Sequence, residues 1–99
     1  MAKKVKTTKW NLEDYLKTDK DILSFISTAI EESDPASVSA GIGLLAKKKG
    51  MSQIAAMTKL GRESLYKSLS PNGNPEFATI MKVIHAVGYK LKIVPVAAK

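Results

Sequence analysis

A chain of 99 residues with 44% apolar side chains is enough for one small domain and too hydrophobic for a disordered one. It has no cysteine, which excludes disulfides and thiolate zinc sites and suits a reducing, cytoplasmic compartment. No apolar run approaches the ~20 residues of a membrane span, and none follows the basic N-terminus as a secretory leader would require.

The net charge of +7 is segregated along the chain. Residues 1–10 carry +4, residues 11–34 carry −5, residues 35–70 carry +5 and residues 71–99 carry +3. The basic middle suits a polyanion. The acidic stretch before it suits either a different partner or plain solvation.

The elements follow in order. Residues 1–10 form a lysine-rich arm, in which Val5–Trp10 reads as a short strand or a flexible segment. A turn at residues 12–17 places Leu12, Tyr15 and Leu16 on one face. Thr18 and Asp21 form a capping pattern for a helix over about 19–32, with Ile22, Phe25, Ile26, Ala29 and Ile30 as its apolar stripe. Asp34-Pro35 starts the next helix, which runs to Lys49, buries Val38, Ile42 and Leu45, and stops at Gly50. Gly41 and Gly43 either weaken this helix or admit a close neighbour.

Ser52 is placed to cap a short helix over 53–58, the Lys59-Leu60-Gly61 turn follows, and a second short helix spans 62–69. After the turn-forming residues 70–75, a helix from 75 or 76 to Val87 presents Phe77, Ile80, Met81, Ile84 and Val87 on one face. Met51, Met57 and Met81 read as core gap-fillers. Residues 89–96 alternate as a strand, with Val5–Trp10 or the same strand of a second chain as partner.

Two short helices joined by a tight turn, with a helix on each side, make a helix-turn-helix at about residues 52–69. Ala55 fits the helix crossing, Leu60 plugs the turn and Leu65 is the buried residue of the second helix. That leaves Arg62, Glu63, Ser64, Lys67 and Ser68 facing outward, where such a helix reads base edges in a major groove. Arg62 is the main candidate, since a guanidinium bonds guanine O6 and N7 together. Ser52, Gln53, Lys59, Asn72 and Asn74 are placed for phosphates. Tyr66 reads as a packing residue, with phosphate contact as the alternative.

Several segments resemble the HigA-like antidotes (antitoxins) of bacterial addiction modules, which carry an Xre/Cro-type helix-turn-helix. They are D-Y-L-K-T at 14–18, D-P-A at 34–36, G-M-S-Q-I-A at 50–55, R-E-S-L-Y-K-S-L-S at 62–70, G-N-P-E-F-A-T at 73–79 and A-V-G-Y-K-L at 86–91. The resemblance implies an autorepressor that binds operator DNA and neutralises a RelE-like ribonuclease toxin. Arg62, Glu63 and Lys67 match its recognition positions. In two departures, Lys59 stands where glycine is usual and Gly61 where a capping serine is usual, which predicts weaker DNA binding than in relatives.

Toxins of that class are basic, so the acidic residues Glu13, Asp14, Asp19, Asp21, Glu31 and Glu32 are assigned to the toxin-facing surface. The basic arm and the C-terminal strand are the other possible toxin surfaces. The expected fold is all-α, an Xre/Cro-like five-helix domain over residues 11–99 with a short C-terminal strand. A homodimer is expected, joined through Tyr89, Leu91 and Ile93.

The one histidine, His85, lies beside an apolar stripe and reads as packed or half-exposed. No catalytic pair, cofactor or small-molecule substrate is indicated. A stand-alone repressor of the same fold is the rival reading. An RNA-binding adaptor would need an aromatic stacking surface that this sequence does not supply.

Overall fold

A computed structural model describes residues 12–70 and 73–96, with the side chain of Glu13 excepted. A 3₁₀ turn at Leu12–Asp14 leads into five helices: α1 (Asp19–Glu31), α2 (Pro35–Lys49), α3 (Met51–Thr58), α4 (Arg62–Ser68) and α5 (Phe77–Ala86). None of them is long and apolar enough to cross a membrane. The basic arm and Trp10 lie outside the described residues.

The helices begin where side chains satisfy free backbone donors. Thr18 accepts a hydrogen bond from the Asp21 amide at 3.1 Å. Asp34 accepts from the Ser37 amide at 3.3 Å and from the Ser37 hydroxyl at 2.7 Å. Lys47, Lys48 and Lys49 fill the last turn of α2, where the helix dipole favours cations. Gly50 then takes φ +115°, open to glycine and strained for other residues, which lets α3 start one residue later in a new direction. Gly50 is thus the N-cap of α3, and the expected cap, Ser52, is its second residue.

Helix α2 is the centre of the fold and packs against α1, α3, α5 and the 3₁₀ turn. Two apolar clusters result. The larger joins Ile42, Ala46, Met51, Ile54, Leu65, Leu69, Val83, Ile84 and Ala86 across α2 to α5. The smaller joins Ile22, Leu44 and Leu45, with Leu12 and Leu16 packed over it.

Gly41 lies where α1 crosses α2, and a Cβ built there would stand 2.5 Å from Ile26 Cγ1 and 3.2 Å from Phe25 Cδ2. Of the two readings of this glycine, close approach is the one seen. Alanine would gain about 1 kcal/mol of helix propensity. Crowding two side chains in a packed contact costs about 1–3 kcal/mol, so Gly41→Ala is expected to lower stability, as a lower midpoint in thermal unfolding.

Several expected burials do not occur. Phe77 is 67% exposed, Met57 55%, Ile30 52% and Met81 39%, whereas Val83, off the expected stripe of α5, is fully buried. The face of α5 turned inward is set by its contacts with α2 and α3 and centres on Val83, Ile84 and Ala86. Of the three methionines read as gap-fillers, Met51 alone is buried. His85 is exposed.

The C-terminal strand is not formed either. No strand occurs among the described residues, and residues 89–96 have no regular structure. A strand needs a ladder partner, and the one proposed within the chain, Val5–Trp10, lies outside the described residues. Tyr89 instead docks back on both clusters, with its amide donating to the Ile84 carbonyl at 3.0 Å. Of the three expected dimer residues, Leu91 at 41% and Ile93 at 98% are exposed, while Tyr89 is half-buried.

Candidate nucleic-acid interface

Helices α3 and α4 are joined by Lys59-Leu60-Gly61 alone. The spacing of Ala55, Leu60 and Leu65 performs the packing expected of it. Ala55 and Leu60 are half-buried against the larger cluster, and Leu65 is 1% exposed within it. Ile54, also fully buried, anchors α3 in the same cluster.

Two features set the turn. The buried hydroxyl of Thr58 donates to the Ile54 carbonyl at 2.8 Å and accepts from the Leu60 amide at 3.3 Å, so it both closes α3 and holds the chain leaving it. Lys59 adopts the left-handed conformation, φ 64° and ψ 26°. This is the position where the resemblance expects glycine, and a lysine there carries a backbone cost of about 1 kcal/mol. Gly61 is the N-cap of α4 and offers no side-chain cap.

Leu65 and Leu69 turn inward, so the other side of α4 faces solvent. Arg62, Glu63, Ser64 and Lys67 are exposed and Ser68 is half-buried. Tyr66 does not pack into the core as expected. It is 46% exposed, and the Arg62 guanidinium lies over its ring at 5.9 Å from the centroid. The two residues are one turn apart, and the ring face attracts the cation and restrains its side chain. Thr58, which holds the turn, has no signal in the sequence reading, whereas the i,i+4 spacing of Arg62 and Tyr66 is visible there.

The other expected phosphate contacts are spread more widely. Ser52 and Gln53 are exposed in the first turn of α3, and Asn74 is exposed in the loop before α5. Asn72 lies outside the described residues.

The acidic surface is on the opposite end of the chain order, along the 3₁₀ turn and α1. Asp14, Asp21, Glu31 and Glu32 are exposed. Asp19 is engaged within the chain, with Lys48 Nζ at 3.5 Å and the Tyr89 hydroxyl at 3.5 Å. Lys48 also donates to the Lys17 carbonyl at 3.0 Å, tying the entry of α1 to the end of α2. Among the described residues no group of histidines and carboxylates could hold a metal ion.

Residues 6–95 match the family described as probable addiction module antidote proteins. The chain belongs to this family. It is a class of non-enzymatic antitoxins, so this antidote is not an enzyme and has a toxin as partner. The antidote is also 32% identical, over 84 residues, to an uncharacterized protein of Haemophilus influenzae, a match covering 85% of this chain and 87% of the relative. No solved structure matches it.

Proposed function

We propose that this antidote is a DNA-binding antitoxin of the HigA-like type, which neutralises a basic, RelE-like ribonuclease and represses its own operon through an Xre/Cro-type helix-turn-helix formed by α3 and α4. The observation that carries the DNA half is the outward face of α4. Arg62, Glu63, Ser64 and Lys67 are exposed on a helix whose other side is pinned by Leu65. Base reading falls to these residues and Ser68, with Arg62 as the main reader. Phosphate contacts fall to Ser52, Gln53, Lys59, Asn72 and Asn74.

One such helix reads a few base pairs, so the functional unit is a homodimer spanning half-sites roughly 34–36 Å apart. The exposed side chains of Leu91 and Ile93 support a dimer contact in the C-terminal segment. A chain in solution that stays monomeric at micromolar concentration and on DNA would remove this part of the proposal.

The test is footprinting on the promoter of the antidote's own operon, with and without the product of the neighbouring reading frame. Protection of a two-fold symmetric site, together with a stable complex of the two proteins, is the expected result. Promoter protection without a protein complex would leave a stand-alone repressor. A complex without promoter protection would leave an antitoxin with no DNA role.

Lys59→Gly separates stability from DNA affinity at one position. Removing the left-handed lysine is expected to raise stability by about 0.5–1 kcal/mol, less the flexibility that glycine adds to the unfolded chain. Losing one phosphate contact should flatten the dependence of log K on log salt by about 1. A higher melting temperature with an unchanged salt slope would take Lys59 out of the phosphate set.

A further inference from the structure

A shallow groove of about 420 Å³ runs along the exposed side of α1, lined by Tyr15, Leu16, Asp21, Ser24, Phe25 and Thr28. Four of these residues, at positions 21, 24, 25 and 28, recur at helical spacing and so form one stripe. Glu31 and Glu32 continue that stripe at the next turn. An apolar floor is therefore bracketed by carboxylates some ten residues apart, about 15 Å along a helix axis.

Tyr15 is 58% exposed and Phe25 half-buried, and both rings line the groove. The Asp21 carboxylate has no hydrogen bond or ion pair among the described residues.

We infer that this groove is where the toxin docks, and that it takes an apolar segment of the toxin flanked by basic side chains. The inference rests on the toxin-binding half of the proposed function and specifies its site. The choice of occupant follows from charge. The exposed carboxylates on this stripe are Asp21, Glu31 and Glu32, in a segment, residues 11–34, of net −5, so the groove disfavours nucleic acid and attracts a cationic protein. Rings beside carboxylates favour arginine, which stacks on the ring while pairing with the acid. The groove is too open to enclose a small molecule and suits a segment laid along it, as in helix-in-groove recognition.

The experiment uses the full-length chain and the product of the neighbouring reading frame, co-expressed and co-purified, with the dissociation constant measured for wild type and two variants. Ser24→Arg fills the groove with bulk and like charge. Asp21→Lys reverses its free carboxylate. Ser24 and Asp21 are exposed, and a single cooperative thermal transition of each variant alone shows that it folds. A small drop in midpoint is expected for Asp21→Lys, because it puts a cation in the first turn of α1.

Each variant is expected to weaken the complex at least tenfold. A wild-type complex that both variants form equally well overturns the groove as the docking site and leaves the antitoxin reading standing. Failure of the wild-type chain to form a complex overturns that reading and the groove with it. Variants that change self-association and not the complex would make the groove a contact between copies of this chain, and overturn the inference.

Discussion

Leu65→Ala is expected to destabilise the protein by about 2–5 kcal/mol, the cost of emptying a fully buried leucine site. Leu65 is 1% exposed and lies in the cluster that joins α2, α3 and α5. Helix α4 has only seven residues and packs mainly on α3, so it has little stability of its own. Domains of this size have total stabilities of about 5–15 kcal/mol. The loss should lower the thermal midpoint by on the order of 10 °C or more. Hydrogen exchange gives the sharper check, because amides of α4 should lose protection before those of α2. A variant as stable as wild type would mean that α4 is not held by this side chain. The equivalent change at Met57, which is 55% exposed, should cost well under 1 kcal/mol.

Arg62→Ala should leave the fold intact and change what the protein recognises. Arg62 is exposed at the first position of α4, where alanine is a good helix former. Losing a bidentate guanine contact costs about 1–3 kcal/mol of discrimination, or about 5- to 150-fold in the ratio of operator to random-sequence affinity. Competition binding at fixed salt measures that ratio. If operator and random DNA weaken together, Arg62 contacts phosphate and the base reader lies elsewhere on α4.

The contact with Tyr66 sharpens this expectation. Tyr66→Phe keeps the ring under the guanidinium and should preserve discrimination, whereas Tyr66→Ala frees Arg62 and should lower it by a smaller factor than Arg62→Ala. A loss with Tyr66→Phe equal to that with Tyr66→Ala would point to the hydroxyl, and so to the phosphate contact considered from sequence.

The helices and their order were legible because their signals are local. Thr18, Asp34 and Gly50 act at one turn's distance, so caps and stops could be read from a few neighbouring residues. The packing of Ala55, Leu60 and Leu65 was legible for the same reason, since spacing on a short helix decides which side chains share a face. Charge segregation needed no structure at all: residues 11–34 carry −5 and residues 35–70 carry +5, which suits a polyanion for the basic part and either another partner or plain solvation for the acidic one.

What the tertiary structure decided was which of the possible faces met a neighbour. Periodicity allowed Phe77 and Met81 into the core, but contact of α5 with α2 and α3 buried Val83 and left them in solvent. Gly41 had two readings until α1 placed Ile26 against it. Tyr66 stayed outside because Leu65 and Leu69 took the inward side of α4, which left its ring to Arg62. The alternation of residues 89–96 describes a strand only when a second strand supplies hydrogen bonds, and in the described chain Tyr89 returns to the core instead. Local sequence determines an element and its faces, whereas burial and pairing depend on surfaces brought in from distant parts of the chain, and those exist only once it has folded.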